Sequence, residues 1–312
     1  MTTYIIRQII YALFIILGVI TVTFIIIRLL PGDPARLVQG QRADKQSMEM
    51  LRREWKLDQP IYVQYGDFLG KALTGDFGRS FTTNRPVLDA ILETLPATIL
   101  LAFSAMLLAT IVGIAIGIVS AWKPYSIYDM SGLVIALFGI SVPVFVLGAV
   151  FYLLFIRELQ LIDSAGWIVE RGTLKLERLF LPMITLAARP LSIFARITRS
   201  SMLDTLNQDY IRTARAKGVS EKKTVLRHAL RNALNPVVTT VSAWLAGTLA
   251  GAFFVEYIFN WPGVGLFAFN AVTTIDYPVI QGVVVFSAVM FVIINLLVDI
   301  LYSFLDPRVR LS

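Results

Sequence analysis

The sequence predicts an all-α membrane protein with six transmembrane helices, a long external loop after the first span, and a basic, helix-patterned cytoplasmic loop between spans four and five. Three observations carry that prediction. Of 312 residues, 56% are hydrophobic and only 16% charged, too few charges for a water-soluble globule of this size. Six apolar segments have the length of about 17 to 25 residues that crosses a bilayer core. Lys and Arg are distributed unequally over the loops between them, which sets the orientation.

Residues 1–30 form the first transmembrane helix. Its apolar run, Ile9 to Ile27, is longer than a signal-peptide core, and no small-residue cleavage site follows it, so a retained span is expected. Residues 31–95 form an external subdomain. "PGDPA", Pro31 to Ala35, stops the first helix, because proline cannot continue one and biases its predecessor toward extended backbone. "SMEMLRREW" reads as a short amphipathic helix and "TGDFGRSF", Thr74 to Phe81, as a glycine turn. The whole forms a platform for something soluble.

Residues 96–312 hold a five-helix core. Its spans are Pro96–Trp122, Gly132–Ile156, Leu179–Ala195, Pro236–Val255 and Val279–Leu301, the third of these interrupted by Arg189 and Pro190. Ala105, Ala109, Gly113 and Gly117 lie four apart on one span, and Ala243, Gly247 and Gly251 on another. Small residues at that spacing form a ridge that lets a second helix backbone approach closely.

Six spans put both termini on one side. The segments 1–8, 123–131, 196–235 and 306–312 hold one, one, nine and two Lys or Arg, against four in 157–178 and none in 256–278. The long loop 31–95 carries nine basic residues matched by nine acids, and long loops translocate largely regardless of charge. Both termini and the 196–235 loop are therefore cytoplasmic.

Several chemistries are excluded. The chain has no cysteine and one histidine, His228, so disulfides, thiolate metal sites and multi-histidine metal centres are ruled out. No paired intramembrane carboxylate supports an intramembrane enzyme. A secondary transporter working without ATPases is disfavoured, because the spans hold few charges for an ion pathway and show no inverted repeat with matching broken helices. Arg189, Asn295 and Asp299 lie in or near spans, where such groups pair structurally or line a path. Trp261, Pro262 and Gly263 form an external turn, either part of a gate or docking surface or an interfacial aromatic anchor.

The 196–235 loop carries nine basic and three acidic residues. Its segment 209–236 splits into two helices around a hinge. The first ends in "RAKG", a basic last turn before Gly218, where a left-handed cap favours glycine. The second starts at Ser220, with Glu221 in its first turn, and stops before Pro236. Leu226, Leu230 and Leu234 make one face apolar, and Lys223, Arg227 and Arg231 make a parallel basic row. Such a feature suits a loop lying on anionic lipid or a shaped docking knob for a cytoplasmic partner. Nucleic acid is a poor fit, because no aromatic platforms accompany the charge.

"RTARAKG", Arg212 to Gly218, followed by "HALRNALNP", resembles the cytoplasmic signature of permease subunits of binding-protein-dependent ABC importers. That signature reads Glu-Ala-Ala, three residues, Gly, nine residues, Ile-x-Leu-Pro. Gly218, Ala214 and Leu230 match it, whereas Arg212, Thr213, His228 and Arg231 depart. "LPGDPA", "GDFGRS", "ETLPAT", "SMLD", "DYIRTARAKG", "EYIFNWPGVG", "DYPVIQG" and "NLLVDILYSFLDPR" are similar to the dipeptide, oligopeptide and nickel branch, in particular to its B-type subunit.

The resemblance implies a non-catalytic permease of a bacterial plasma (inner) membrane importer for dipeptides or oligopeptides; nickel chelates or glutathione are the alternatives. It implies as partners a second homologous permease, two ATP-binding cassette subunits and an external solute-binding protein. Arg212, Thr213, Ala214, Arg215, Ala216, Lys217 and Gly218 would then form the coupling helix against an ATPase. In agreement, the chain has no Gly-x4-Gly-Lys-Ser/Thr loop to cradle phosphates. No cofactor is expected on this chain, with ATP and Mg held by the partner ATPases.

Overall fold

A computed structural model describes residues 2–29, 49, 53, 58–162, 166, 167, 169, 170 and 173–305. The "PGDPA" stop, the amphipathic "SMEMLRREW" helix apart from residues 49 and 53, and the tail beyond residue 305 lie outside the described residues. The helices are α1 (Thr2–Leu29), α2 (Ile61–Thr74), α3 (Val87–Trp122), α4 (Ile127–Ser141), α5 (Val144–Phe151), α6 (Glu177–Leu206), α7 (Asp209–Ala216), α8 (Glu221–Lys223), α9 (Leu230–Ile258), α10 (Val264–Thr273) and α11 (Tyr277–Leu305). The π turns Tyr152–Glu158 and Thr224–Ala229 extend α5 and α8. A two-rung hairpin, β1 (Val169–Glu170) with β2 (Thr173–Leu174), is the one extended element among the described residues. The fold is otherwise helical.

Among the described residues, four helices are long and apolar enough to cross a membrane, or five if the bent pair α4–α5 is one span. That pair turns by 104°. The sequence reading takes Gly132–Ile156 of this stretch as a span. The bend sits where Val142 is extended (φ −86, ψ 125) ahead of Pro143, the geometry a following proline imposes.

The described chain forms two compact units. One holds the residues up to Pro96 together with Gly263–Leu296; the other holds Ala97–Pro262 and the residues from Leu297 on. In the first unit, α2 was not anticipated. It begins after Pro60, ends at Gly75 in the left-handed region (φ 78), and leans on α1. Phe24 meets Tyr65 edge-on at 5.4 Å and stacks on Phe68 at 5.9 Å, and the Thr21 and Tyr65 hydroxyls hydrogen-bond at 2.7 Å.

The first unit also joins two motifs distant in sequence. Ser80 of "GDFGRS" donates to Asp276 of "DYPVIQG" at 2.7 Å, and the Thr82 amide donates to the same oxygen at 3.1 Å. Asp276 is 3% exposed and caps α11, accepting from the Val279 amide at 3.5 Å. Gly282 lets α11 touch the loop, for a Cβ there would stand 2.5 Å from Val87 Cγ1 and 3.0 Å from Phe77 Cβ.

The second unit is organised around α6, which packs on α9, α4 and α5. α6 runs unbroken through Pro182 and Pro190, so the interruption expected at Arg189 and Pro190 is absent. The Ala105–Gly117 ridge of α3 faces α6. Ala105 and Ala109 are fully buried, and a Cβ on Gly117 would stand 2.4 Å from Thr198 Cβ and 2.7 Å from the Ala195 carbonyl. Two positions of the second ridge are open among the described residues: Ala243 is exposed and a Cβ on Gly247 would meet nothing within 4 Å.

Helices reach into the 196–235 segment from both sides: α6 continues to Leu206 and α9 starts at Leu230. Pro236 also does not end a helix; α9 passes through it. Membrane helices tolerate proline when hydroxyls engage the nearby carbonyls. Here Thr239 and Thr240 donate to the Asn235 and Pro236 carbonyls at 3.1 and 2.8 Å, and Ser201 of α6 donates to the Ala233 carbonyl at 2.9 Å.

Candidate functional site

The charged insert folds into a knob. α7 covers the first of the expected helices, with Asp209 in its first turn and Arg215 in its last, both favourable to the helix dipole. Gly218 follows at φ +77, a backbone that side-chain-bearing residues rarely adopt. Its amide donates to the Arg215 carbonyl at 2.9 Å, and the Val219 amide donates to that of Ala214 at 3.2 Å. The glycine cap expected from the sequence is thus present. Ser220 precedes α8 in an extended conformation but makes no side-chain cap.

One side chain anchors the knob. Ile211 is 0% exposed and sits in a cluster with Met202 of α6, Val225 and Ala229 of the π turn, Ala121 of α3 and Ala233 of α9. Full burial of such a side chain contributes about 1.5 to 3 kcal/mol. Asn232 of α9 adds a hydrogen bond to the Tyr210 hydroxyl at 2.8 Å.

The predicted coupling residues lie on the opposite face. Arg212, Thr213, Arg215, Ala216, Lys217 and Gly218 are exposed and Ala214 is half-buried. Arg212 makes one loose contact, 3.4 Å to Asp209, with both side chains largely in solvent. Such a pair contributes little, so among the described residues Arg212 and Lys217 are available cations.

Arg215 is different. It forks onto Glu221 across the glycine turn, Nε to Oε2 at 3.1 Å and Nη2 to Oε1 at 2.7 Å. That hydrogen bonding holds the Glu221 carboxyl below its ordinary range and the Arg215 guanidinium above its own, against the opposing effect of burial. The resemblance implies an ATPase contact for Arg215; within the chain the side chain pairs with the Glu221 carboxylate, which braces α7 against α8.

A second paired charge lies in the same unit and was missed in the sequence. Arg199 of α6 forks onto Asp129 of α4 at 2.6 and 2.7 Å, and the Tyr125 amide donates to Asp129 at 2.9 Å. The Asp129 side chain is 2% exposed and that of Arg199 22%. The two positions are 70 residues apart, so no local spacing announces the pair.

The other predicted positions are dispersed. Arg189 is exposed and lies over the Trp244 ring at 5.7 Å. Asn295 donates to the Phe291 carbonyl of its own helix at 2.8 Å. The Asp299 side chain lies outside the described residues. Trp261 does not point outward: it is 0% exposed, its indole donates to the Ala97 carbonyl at 2.8 Å, and it packs edge-on with Trp167 at 5.2 Å. A buried, hydrogen-bonded indole is a core element, which suits neither a docking surface nor a lipid anchor. Pro262 is half-buried and Gly263 buried. Nearby, Glu256 is 0% exposed and accepts from Thr98 at 2.7 Å.

Residues 113–311 match the family described as binding-protein-dependent transport system inner membrane component, and residues 1–102 match its N-terminal region. The dipeptide transport system permease protein DppB of Alkalihalophilus pseudofirmus is 40% identical over 332 residues, covering 99% of this chain and 100% of that protein. The glutathione transport system permease protein GsiC of Escherichia coli (strain K12) is 40% identical over 310 residues, covering 99% of each. Among solved structures, a crystal structure of an amino acid ABC transporter matches with a TM-score of 0.52 at 15% identity, over 71% of this chain and 94% of that one. That likeness is one of fold.

Proposed function

The chain belongs to the binding-protein-dependent transport system inner membrane components, and on that premise we propose that it is one of two permease halves of an ATP-driven importer for small peptides. In this reading it crosses the bacterial inner membrane six times, with both termini in the cytoplasm. It pairs with a second, homologous permease, receives solute from an external binding protein, and rests on two ATP-binding cassette subunits. The chain has no phosphate-cradling loop of its own, so hydrolysis falls to those partners and this subunit is non-catalytic.

The observation that carries the proposal is the knob. A short helix with exposed Arg212, Thr213, Ala216 and Lys217 is fixed at its root by fully buried Ile211. A charged segment lying on lipid needs no such root. A lever that must transmit a push does, because force passes only through packed contacts. Ala216 and Gly218 keep the tip low in profile, and the exposed cations Arg212 and Lys217 suit an acidic groove.

For the solute, both relatives named above transport peptidic molecules by name, a dipeptide and the tripeptide glutathione. Equal identity to both keeps glutathione as the second reading. The test is purification through a tag on this chain, followed by reconstitution and uptake of a labelled dipeptide or labelled glutathione. ATPase chains co-purify with the wild type, and Gly218→Pro, which cannot adopt φ +77, inserts normally but loses solute-stimulated hydrolysis. Uptake without any co-purifying ATPase, or unchanged transport by the Gly218→Pro protein, refutes the proposal.

A further inference from the structure

α3 and α4 pack closely where Gly132 meets Ser120 and Ile116: a Cβ on Gly132 would stand 2.6 Å from Ser120 Oγ. Beside that contact the two helices part. The small residues Ala115 and Ser131 leave an open groove of about 270 Å³ bordered by Ile116, Val119, Tyr128 and Ile135. That is nearly twice the roughly 150 Å³ apolar cavity that accommodates benzene. Its α3 lining, Ala115 to Val119, extends about 6 Å along the helix, the length of several methylene groups of an acyl chain.

The mouth of the groove is equipped for a headgroup. Lys123 follows the last residue of α3, and its ammonium lies 5.4 Å from the centroid of Tyr128, whose ring borders the groove. Lys123 is exposed and has no carboxylate partner among the described residues. The nearby acid, Asp129, is buried and held bidentately by Arg199. The mouth therefore carries an uncompensated positive charge. Around it Trp122, Tyr125, Ile127 and Tyr128 are exposed at 37, 91, 73 and 56%, the pattern of aromatic side chains that sit at the membrane–water boundary.

From this arrangement we propose a binding site for one anionic phospholipid, with an acyl chain in the α3–α4 groove and the phosphate on Lys123. Apolar lining accounts for the chain, and the local positive charge selects an anionic headgroup over a zwitterionic one. The occupant is a bilayer lipid and not free phosphate, because most of the site is apolar. The proposal does not depend on the solute or on the coupling role of α7.

The test uses the protein extracted with whatever chains accompany it, stripped of lipid by detergent exchange. Phosphatidylglycerol and phosphatidylcholine with identical brominated chains are titrated in, and quenching of tryptophan fluorescence is followed, with Trp122 at the groove mouth as the nearest reporter. Phosphatidylglycerol binds saturably and about fivefold more tightly, the effect of one basic residue near a lipid surface. Lys123→Gln, an exposed change that leaves packing intact, abolishes the preference. Ser131→Phe fills the groove and removes the saturable component.

Equal affinity for the two lipids in the wild type overturns the proposal, as does a preference that survives Lys123→Gln. Saturable binding retained in a folded Ser131→Phe protein overturns it too. If the chain alone binds lipid and the complete complex does not, a partner helix occupies the groove and the lipid assignment fails.

Discussion

Reversing the charges of Arg215 and Glu221 separates two roles that Arg215 could play. The pair is bidentate, but the side chains are 42 and 47% exposed, so its value is that of a surface ion pair, at most about 1 kcal/mol. Each single reversal, Arg215→Glu or Glu221→Arg, replaces that attraction with a like-charge contact. A loss of about 1 kcal/mol shifts the braced population roughly fivefold. The swapped protein, carrying both reversals, restores attraction across the same turn. We expect solute-stimulated ATP hydrolysis by the co-purified complex to fall severalfold in each single variant and to recover in the swap. The losses shrink at high salt, because exposed charges are screened. Amide exchange across 209–221 moves in parallel, fast in the singles and slow in the swap.

The pH dependence follows from the depressed Glu221 carboxyl. A carboxylate with a lowered folded-state pKa contributes stability above its unfolded value of about 4.3, and that contribution is lost as pH falls through the lower folded value. The brace is fully present at neutral pH, and its loss is confined to acid. The raised Arg215 pKa removes nothing in this range. A swap no better than the worse single variant refutes the bracing role, for the Arg215 charge must then act on a group other than Glu221.

Two further outcomes test the packing that supports the site. Gly117→Ala places a methyl 2.4 Å from Thr198 Cβ and 2.7 Å from the Ala195 carbonyl. It destabilises by about 1 to 3 kcal/mol, seen as a lower unfolding midpoint in detergent, whereas Gly247→Ala, with open space around it, leaves the isolated chain unchanged. Asp129→Asn leaves the half-buried Arg199 without its counter-charge. The cost stays below the roughly 3 to 5 kcal/mol of a broken, fully buried pair and exceeds that of Arg215→Gln at the exposed pair, measured by the same thermal scan.

What the sequence made legible was whatever depends on local spacing. Gly218 stands where a basic helix ends, and the structure has it at φ +77; the alanine–glycine ridge of α3 repeats every fourth residue and is buried against α6. Both are consequences of helix periodicity acting on small side chains. The readings that failed concern proline. Pro190 and Pro236 were expected to interrupt or end helices, and both lie inside them, while Pro143, unremarked within a predicted span, marks the 104° bend. Proline's own chemistry is the same at all three places. What differs is the company: threonine hydroxyls and Ser201 engage the carbonyls around Pro236, whereas Val142 is left extended before Pro143.

The same distinction governs the charges. The Arg215 pair was not legible because Glu221 lies six positions on, a spacing that shares no helix face. The turn at Gly218 folds the chain back and brings the two into contact. Arg199 and Asp129 are joined only by the packing of α4 on α6. Four cations of the basic segment thus fall into two kinds. Arg215 and Arg199 hold the structure together, and Arg212 and Lys217 face outward with nothing stronger than a loose, solvent-exposed contact. Neutralising Arg212 and Lys217 therefore bears on docking, while neutralising Arg215 or Arg199 bears on the frame that presents them.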